Sequence, residues 1–574
     1  IYRPTRHGVP LDEPFPVLLQ RTPYDKTSER FVATAHFFCR HGYVVALQDI
    51  RGRYASEGVF SKYGTDAEDG YDTIAQLAEL PYCDGQIGMW GTSYAAHTQA
   101  DAAKLHPPAL KTIVLNMGGF SDGWDHKIRN HGAFELVQQL TWAFSELARG
   151  TKDPVIRAML EREPVADWLT RFPLRKGLNP LAIAPNFEEY LLQMATHGDA
   201  ADWRGIGTSW LDYYDDTADI PMLHMSGWYD TYAGGTVRNY LELAERKRGP
   251  VRLIVGPWTH SGNLRSYAGN VEFGPESTLT GFEREFHLRW FDHFLKGNEN
   301  GVEHEGPVRL FIMGSGDGHR DEQGRLVHGG AWREASDWPL PGTAFTAYYL
   351  HADGSLTTSA PATGEPASTT YTHDPAHPVP TIGGSFTGIS TDSPALSGGF
   401  DQREGLEIFG SQPPYLPLKS RPDVLVFQTE PLEREMTLIG PIVVRLFAAS
   451  SALDTDFTAK LVDVYPPSAD YPSGYDLNLT DGIIRARYRE SPDHQMLLDP
   501  GRIHEFTIEP FPTANVFKRG HRIRLDIASS NFPRFDVNPN TGEPLGQHRR
   551  AVKADNTVFH SAEYASHVVL PMER

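Results

Sequence analysis

Ile87-Gly88-Met89-Trp90-Gly91-Thr92-Ser93-Tyr94-Ala95-Ala96-His97-Thr98-Gln99-Ala100-Asp101-Ala102-Ala103 is the stretch that decides the fold. A short apolar run gives way to a glycine and two hydroxyl residues, then to an alanine-rich segment that ends before Pro107. The reading is strand, tight turn, helix. A serine in such a turn sits on strained backbone and needs small neighbours, and the helix behind it offers unpaired N–H groups to an oxyanion. Ser93 is therefore a candidate nucleophile. The fifth position of its pentapeptide is Ala95, where the strict G-x-S-x-G pattern has glycine, and a serine that merely caps a helix start would look similar.

Working outward, the apolar runs at 17–20, 43–48 and 113–115 also precede a turn and a more polar segment. Two more, at 221–225 and 251–255, flank a helix-like stretch at 237–248. This rhythm predicts a parallel α/β sheet over 1–120 and 220–305. Between those parts, 121–219 holds helix-like stretches at 134–147 and 155–160, broken by prolines and without strand-like runs, which predicts a helical insertion. From 306 to 574 the composition shifts to Gly, Pro, Thr and Ser, with short alternating runs at 308–312, 442–447 and 523–527. An all-β region of sandwich or jelly-roll size is expected there, with 356–391 forming long surface loops. The chain opens Ile1-Tyr2-Arg3-Pro4 without an initiator Met, and further strands of the first domain are expected before residue 1.

Four reactive residues share one address. Tyr24, Ser93, Asp230 and His260 each stand just past the C-terminal end of a predicted strand. In an open parallel sheet those ends meet at one edge, where ligands bind. The chain order Ser, Asp, His is the one used by α/β-hydrolases: an imidazole takes the serine proton while a carboxylate fixes its tautomer. A strict G-x-S-x-G does occur at Gly119-Phe120-Ser121-Asp122-Gly123, but Trp124, Asp125 and His126 follow in place of small packing residues. Ser121 and Asp122 read instead as helix-starting residues.

Charge narrows the partners. The 574 residues carry 53 Lys and Arg against 73 Asp and Glu, a formal net charge of −20, which repels polyanions and anionic bilayers. Neither nucleic acid nor membrane is an expected partner, and no apolar run approaches the roughly 18 residues of a membrane span. A soluble protein is expected, with the cytoplasm the favoured compartment and a homo-oligomer left open. Two cysteines, Cys39 and Cys83, exclude a disulfide framework. His304-Glu305-Gly306-Pro307-Val308 lacks the second histidine of a zinc-protease helix, and Gly314-Ser315-Gly316-Asp317-Gly318-His319 lacks the third glycine of a dinucleotide loop. No metal or cofactor is expected.

Taken together, the residues resemble the cocaine esterase, glutaryl acylase and α-amino acid ester hydrolase group, relatives of X-Pro dipeptidyl peptidases. The resemblance spans essentially the whole chain. It rests on Arg21-Thr22-Pro23-Tyr24, Asp49-Ile50-Arg51-Gly52-Arg53, Ser56-Glu57-Gly58, Cys83-Asp84-Gly85, Gly88 to Tyr94, Gly227-Trp228-Tyr229-Asp230 and Gly256-Pro257-Trp258-Thr259-His260. In the C-terminal part, Thr429-Glu430-Pro431-Leu432 and Ser529-Ser530-Asn531-Phe532-Pro533-Arg534 are similar to that group's jelly roll. The resemblance implies an α/β-hydrolase domain with an inserted helical cap and a C-terminal jelly roll. It implies Ser93 as nucleophile with Asp230 and His260, and an oxyanion hole made by the Tyr24 hydroxyl and the Tyr94 backbone N–H.

The implied reaction is hydrolysis of small-molecule carboxylic esters through an acyl-enzyme. An acylase or X-Pro dipeptidyl peptidase using the same site is the alternative, and a silent carbohydrate-binding protein a third reading. In α-amino ester hydrolases, acidic residues two and three places after the aspartate help bind the substrate ammonium; here those places hold Tyr232 and Ala233. Tyr232 matches an aromatic acyl-pocket position of the group. With Phe134 and Trp142 on the insertion, it is expected to line a pocket for a bulky acyl group.

Overall fold

The computed structural model describes residues 1–364, 366–387 and 395–573. Seven parallel strands form the central sheet: β1 (Phe15–Thr22), β2 (Val44–Asp49), β3 (Cys83–Thr92), β4 (Leu110–Asn116), β5 (Met222–Tyr229), β6 (Val251–Thr259) and β7 (Val308–Met313). Their spatial order is β2-β1-β3-β4-β5-β6-β7. Helices α1 (Glu29–Arg40), α2 (Asp66–Ala78) and α3 (Tyr94–Lys104) make the early crossovers, and α8 (Ala233–Arg246) joins β5 to β6. Because a parallel sheet is covered on both faces, its strands are continuously apolar: Val17, Leu18 and Leu19 in β1 are all fully buried. The strand order reverses between β1 and β3, so a crevice opens beyond their C-terminal ends. Tyr24 and Ser93 flank that crevice.

Between β4 and β5 the chain forms α4 (Leu136–Gly150), α5 (Pro154–Arg162), α6 (Val165–Thr170) and α7 (Pro185–Thr196). One small ladder, Arg129–Asn130 with Ala133–Phe134, interrupts a segment expected to have no strands. Asp153 caps α5 by accepting from the N–H groups of Val155 and Ile156, with Pro154 at the first helical position.

The C-terminal region is β-rich. Leu425–Gln428, Arg522–Ala528, Asp456–Tyr465 and Tyr475–Arg485 form one antiparallel sheet in that order. Val443–Ser450 pairs with His504–Ile508, Ala554–Phe559 and His567–Met572 in another. Phe457, Leu461 and Leu525 of the first meet Leu446, Phe506, Val558 and Leu570 of the second in one fully buried core.

Two further expectations change. The run at 308–312, expected in the β region, is β7: Val308 registers with Leu253 of β6, so this strand extends the parallel sheet before pairing antiparallel with Gly330–Ala335. The segment at 356–391 is not a set of surface loops. Ser368–His373 pairs with Ala554–Phe559, and Val379, Ile382, Ser385 and Phe386 are buried. The Ser385 hydroxyl donates to the Trp228 carbonyl at 2.8 Å, which ties this segment to the end of β5. Its small and hydroxylated residues allow close packing between the two regions. The part of that expectation at 388–391 falls outside the described residues. Cys39 and Cys83 are both free thiols.

Candidate active site

Ser93 has φ 63° and ψ −121°, in the left-handed half of the map that a serine adopts only when its surroundings compel it. Two glycines do so. A Cβ on Gly91 would lie 2.5 Å from the Ala95 methyl, and one on Gly118 would lie 2.3 Å from the Ser93 carbonyl oxygen. The alanine that departs from the strict pattern is thus accommodated by the bare Gly91. Ser93 N–H donates to the Asn116 carbonyl of β4 at 2.9 Å, and the Ser93 carbonyl accepts from Ala96 and His97 as α3 begins. The helix is packed tightly against the sheet, with Ala96, Ala100, Ala102 and Ala103 fully buried.

Asp230 directly follows β5 and His260 directly follows β6. His260 Nδ1 lies 2.8 Å from Asp230 Oδ1, and the Ser226 hydroxyl donates to the other oxygen, Oδ2, at 3.0 Å. Asp230 is fully buried, so both carboxylate oxygens are oriented by the fold. With Nδ1 engaged, the His260 Nε2 is left to face the cavity that it shares with Ser93.

Tyr24 stands beyond β1 and accepts a hydrogen bond at 3.2 Å from the indole Nε1–H of Trp142 on α4. Its phenol also interacts with the Ser93 hydroxyl. Burial, reinforced by the nearby Glu146 carboxylate, pushes the phenol up to about 12, so it keeps its proton and can donate it in a hydrogen bond. Tyr94 is the first residue of α3, where a backbone N–H has no acceptor within the helix. Its side chain is anchored elsewhere: the hydroxyl donates to Asp66 Oδ2 and accepts from Tyr63 N–H, both at 2.9 Å.

Ser93, His260, Tyr24, Tyr94, Trp142 and Tyr232 all line one cavity of about 480 Å³ under α4. Tyr232 Oη lies 3.1 Å from His97 Nε2. Phe134 departs from expectation: it does not line this cavity. It is held in the two-residue ladder, its N–H donates to Asp536 at 2.8 Å, and its ring stacks on Phe172. Ser121 also lies outside the lining. Its hydroxyl is 3.3 Å from His126 Nδ1, and it opens a turn rather than the helix start expected of it, with Asp122 accepting from Trp124 N–H.

Several lining residues carried no signal in the sequence. Lys62 and Lys127 project from loops, and Gln138 and Gln139 sit on the cavity side of α4. A helical period marks which face of α4 is buried but does not separate a cavity wall from a core. Among the described residues, no group of three or more His, Cys, Asp or Glu could hold a metal ion, and no helix is long and apolar enough to cross a membrane.

Known proteins share this arrangement of regions. Residues 1–262 match the X-Pro dipeptidyl-peptidase (S15 family) and residues 300–569 match the X-Pro dipeptidyl-peptidase C-terminal non-catalytic domain. Over its full length the chain is 35% identical to cocaine esterase of Rhodococcus sp., covering 95% of that protein. The chain belongs to this family of serine hydrolases. Among solved structures, an aminopeptidase from a marine-sediment Thaumarchaeota archaeon superimposes with a TM-score of 0.79 at 26% identity. An α-amino acid ester hydrolase does so with a TM-score of 0.77 at 25% identity. Each alignment covers 98% of this chain and 92% of the other. These relatives share an α/β-hydrolase part and a β-rich C-terminal part with the chain.

Proposed function

We propose that the protein hydrolyses carboxylic esters of small molecules through an acyl-enzyme, with Ser93 as nucleophile, His260 as general base and Asp230 as its orienting partner. The reading is carried by one observation: Ser93 is forced into positive φ at the wall of the cavity into which the Asp230-held imidazole also opens. Ser93 Oγ attacks the ester carbonyl carbon as His260 Nε2 takes the hydroxyl proton, and Asp230 stabilises the imidazolium through Nδ1–H. The carbonyl oxygen, now negative, accepts from the Tyr24 hydroxyl and the Tyr94 N–H. Collapse expels the alcohol with the proton from His260, and water repeats the sequence to release the acid.

In this reading 1–120, 220–305 and the parallel strand β7 form the hydrolase domain, 121–219 is a helical cap and the chain after β7 is a jelly roll, a boundary later than the one expected at 306. The cap contributes Trp142, and Tyr232 and Trp142 form the aromatic part of the acyl pocket. A peptidase or acylase would use the same groups on an amide. An aminopeptidase or X-Pro dipeptidyl peptidase must also receive a substrate ammonium, and the cavity argues against one. Its carboxylates Glu146 and Glu283 are already engaged by Arg53, Arg149 and Arg30. A fluorophosphonate probe followed by peptide mapping tests the assignment. Labelling at Ser93, together with turnover on an ester panel exceeding that on matched amides, is the expected result. An unlabelled Ser93 in active protein would remove it.

A further inference from the structure

Two lysines face the same cavity as Ser93, and neither has a carboxylate within 4.0 Å among the described residues. Lys62 is 9% exposed and Lys127 is 6% exposed. The Lys62 ammonium donates to Gln139 Oε1 at 3.0 Å and lies 3.9 Å over the Trp142 ring, and the Lys127 ammonium lies 4.6 Å over the Tyr232 ring. Gln139 links them, because its Nε2 donates to the Lys127 carbonyl at 2.8 Å. Beside it, Gln138 is fully buried, lines the cavity, and has neither side-chain oxygen nor nitrogen hydrogen-bonded. Lys127 is itself held at φ 107°, a conformation that costs free energy in a non-glycine residue.

Keeping two unpaired buried amines charged is costly, and burial accordingly lowers both from the ordinary ammonium value unless an anion joins them; an unsatisfied buried amide adds to the cost. Asp230 and Glu135 act on Lys127, and Glu146 on Lys62, only from beyond ion-pair distance, and each is already engaged, by His260, Arg534, and Arg53 with Arg149 respectively. Two lysines are left over in a chain whose net charge is −20. A group that removes the cost must bring negative charge and several acceptor lone pairs, and must fit between the Trp142 and Tyr232 rings. A carboxylate does this: its two oxygens can take one hydrogen bond from each ammonium and one from the Gln138 amide. Aromatic contacts alone hold a cation less strongly than a charge-assisted hydrogen bond does.

We infer that Lys62 and Lys127, with Gln138, form a carboxylate-binding subsite, so that the favoured substrate is an anionic ester bearing a carboxylate remote from the scissile bond. The inference rests on the proposed hydrolase site and names its substrate class. The carboxylate can be carried by the acyl or by the alcohol part, and the test separates the two.

In one arm, para-nitrophenyl hydrogen adipate is compared with the uncharged ester that ends in an isopropyl group. In the other, the butanoate ester of para-hydroxybenzoate is compared with that of para-hydroxyacetophenone. The wild-type protein should favour the anionic member of at least one pair by about ten-fold or more in kcat/KM, and Lys62→Met and Lys127→Met should each lower that ratio about ten-fold. Equal kcat/KM within both pairs overturns the subsite while leaving the esterase reading intact. Binding to Ser93→Ala protein reads the same preference without turnover: calorimetry should detect monomethyl adipate and find dimethyl adipate at least about ten-fold weaker. Equal affinity there also overturns it, whatever the kinetics show. Failure to hydrolyse any ester, with the binding preference present, would count against the hydrolase assignment and not against the subsite.

Discussion

The Trp142 indole on α4 hydrogen-bonds the Tyr24 phenol at 3.2 Å, across 118 residues of sequence. A residue of the helical segment thereby positions a residue of the sheet edge. A phenol that accepts one hydrogen bond donates another more strongly, so the contact both aims and polarises the hydroxyl that would meet the oxyanion. Tyr24→Phe removes that donor with little change in volume and should cost about a hundred- to thousand-fold in kcat, by analogy with other oxyanion donors. Trp142→Phe leaves the hydroxyl but frees it, and should cost only about two- to ten-fold. Steady-state kinetics on one ester checks both. A larger effect from Trp142→Phe than from Tyr24→Phe would reverse the roles.

Ser93→Ala and Ser121→Ala give a sharp contrast, because only Ser93 opens onto the cavity. The first should reduce turnover to the level set by binding and oxyanion stabilisation alone, a loss of about a thousand-fold or more. The second removes a hydroxyl that lies 3.3 Å from His126 Nδ1, outside the cavity lining, and should leave turnover within about two-fold of wild type. Circular dichroism confirms folding of each variant. Comparable losses in two folded variants would count against Ser93.

Gly118 carries no signal in the sequence yet bounds the tight turn at Ser93. A methyl group there would sit 2.3 Å from the Ser93 carbonyl and 2.7 Å from the Ala96 methyl. Backbone cannot yield as a flexible side chain does, so Gly118→Ala should destabilise by about 1 to 3 kcal/mol and lower kcat by displacing Ser93. Urea unfolding and kinetics on the same preparation test both effects, and a variant unchanged in either would mean that the turn at Ser93 relaxes freely.

Much of this architecture was legible because parallel strands are buried on both faces and print themselves as apolar runs. That is why residues 17–20, 87–90 and 251–255 identified β1, β3 and β6, and why residues just past those runs converge. The last parallel strand, β7, is not legible for a physical reason: at 308–312 a run that pairs parallel on one side and antiparallel on the other has no distinguishing period. The 356–391 segment was misread because small hydroxylated residues serve equally for exposed turns and for close packing between regions. Phe134 and Trp142 lie eight residues apart in one helix-like run of sequence, whose spacing does not tell core from cavity wall, and Phe134 falls in the ladder that precedes α4. Lys62 and Lys127 were invisible because a lysine in a loop is ordinarily solvated, and only the three-dimensional arrangement reveals the missing partners.

Alkaline pH should weaken the fold through its buried phenols. Tyr24 is pushed up to about 12 by desolvation, and burial raises Tyr63, Tyr94, Tyr190 and Tyr232 well above the ordinary value. Below about pH 10 these groups are neutral in both states, and their contribution to stability is fully present. Above it the unfolded chain releases protons that the native protein retains, so stability falls as pH rises through the folded values. Tyrosinate absorbance should therefore lag in native protein and appear together with loss of near-ultraviolet dichroism. Gradual ionisation of all 24 tyrosines while tertiary signal persists would mean that these phenols are accessible.

Lys127 gives the opposite slope. Burial lowers its ammonium from the ordinary 10.5 to about 7, against the smaller raising effects of Asp230 and Glu135. Between those values the unfolded chain binds a proton that the native protein does not, so this lysine makes stability rise with pH, by at most about 1.4 kcal/mol per pH unit. Its contribution is present in full above the unfolded value and is lost as pH falls through the folded one. Lys127→Met removes the titration, so the variant should gain on wild type as pH is lowered. Its advantage should be greatest near or below about pH 7 and should vanish above about pH 10.5. Because both proteins carry the same tyrosines, the alkaline losses cancel in the difference. Urea midpoints of the pair at about pH 6, 8 and 10 give the test. A difference that does not change with pH would mean that Lys127 keeps its charge throughout, with an acidic partner at hand.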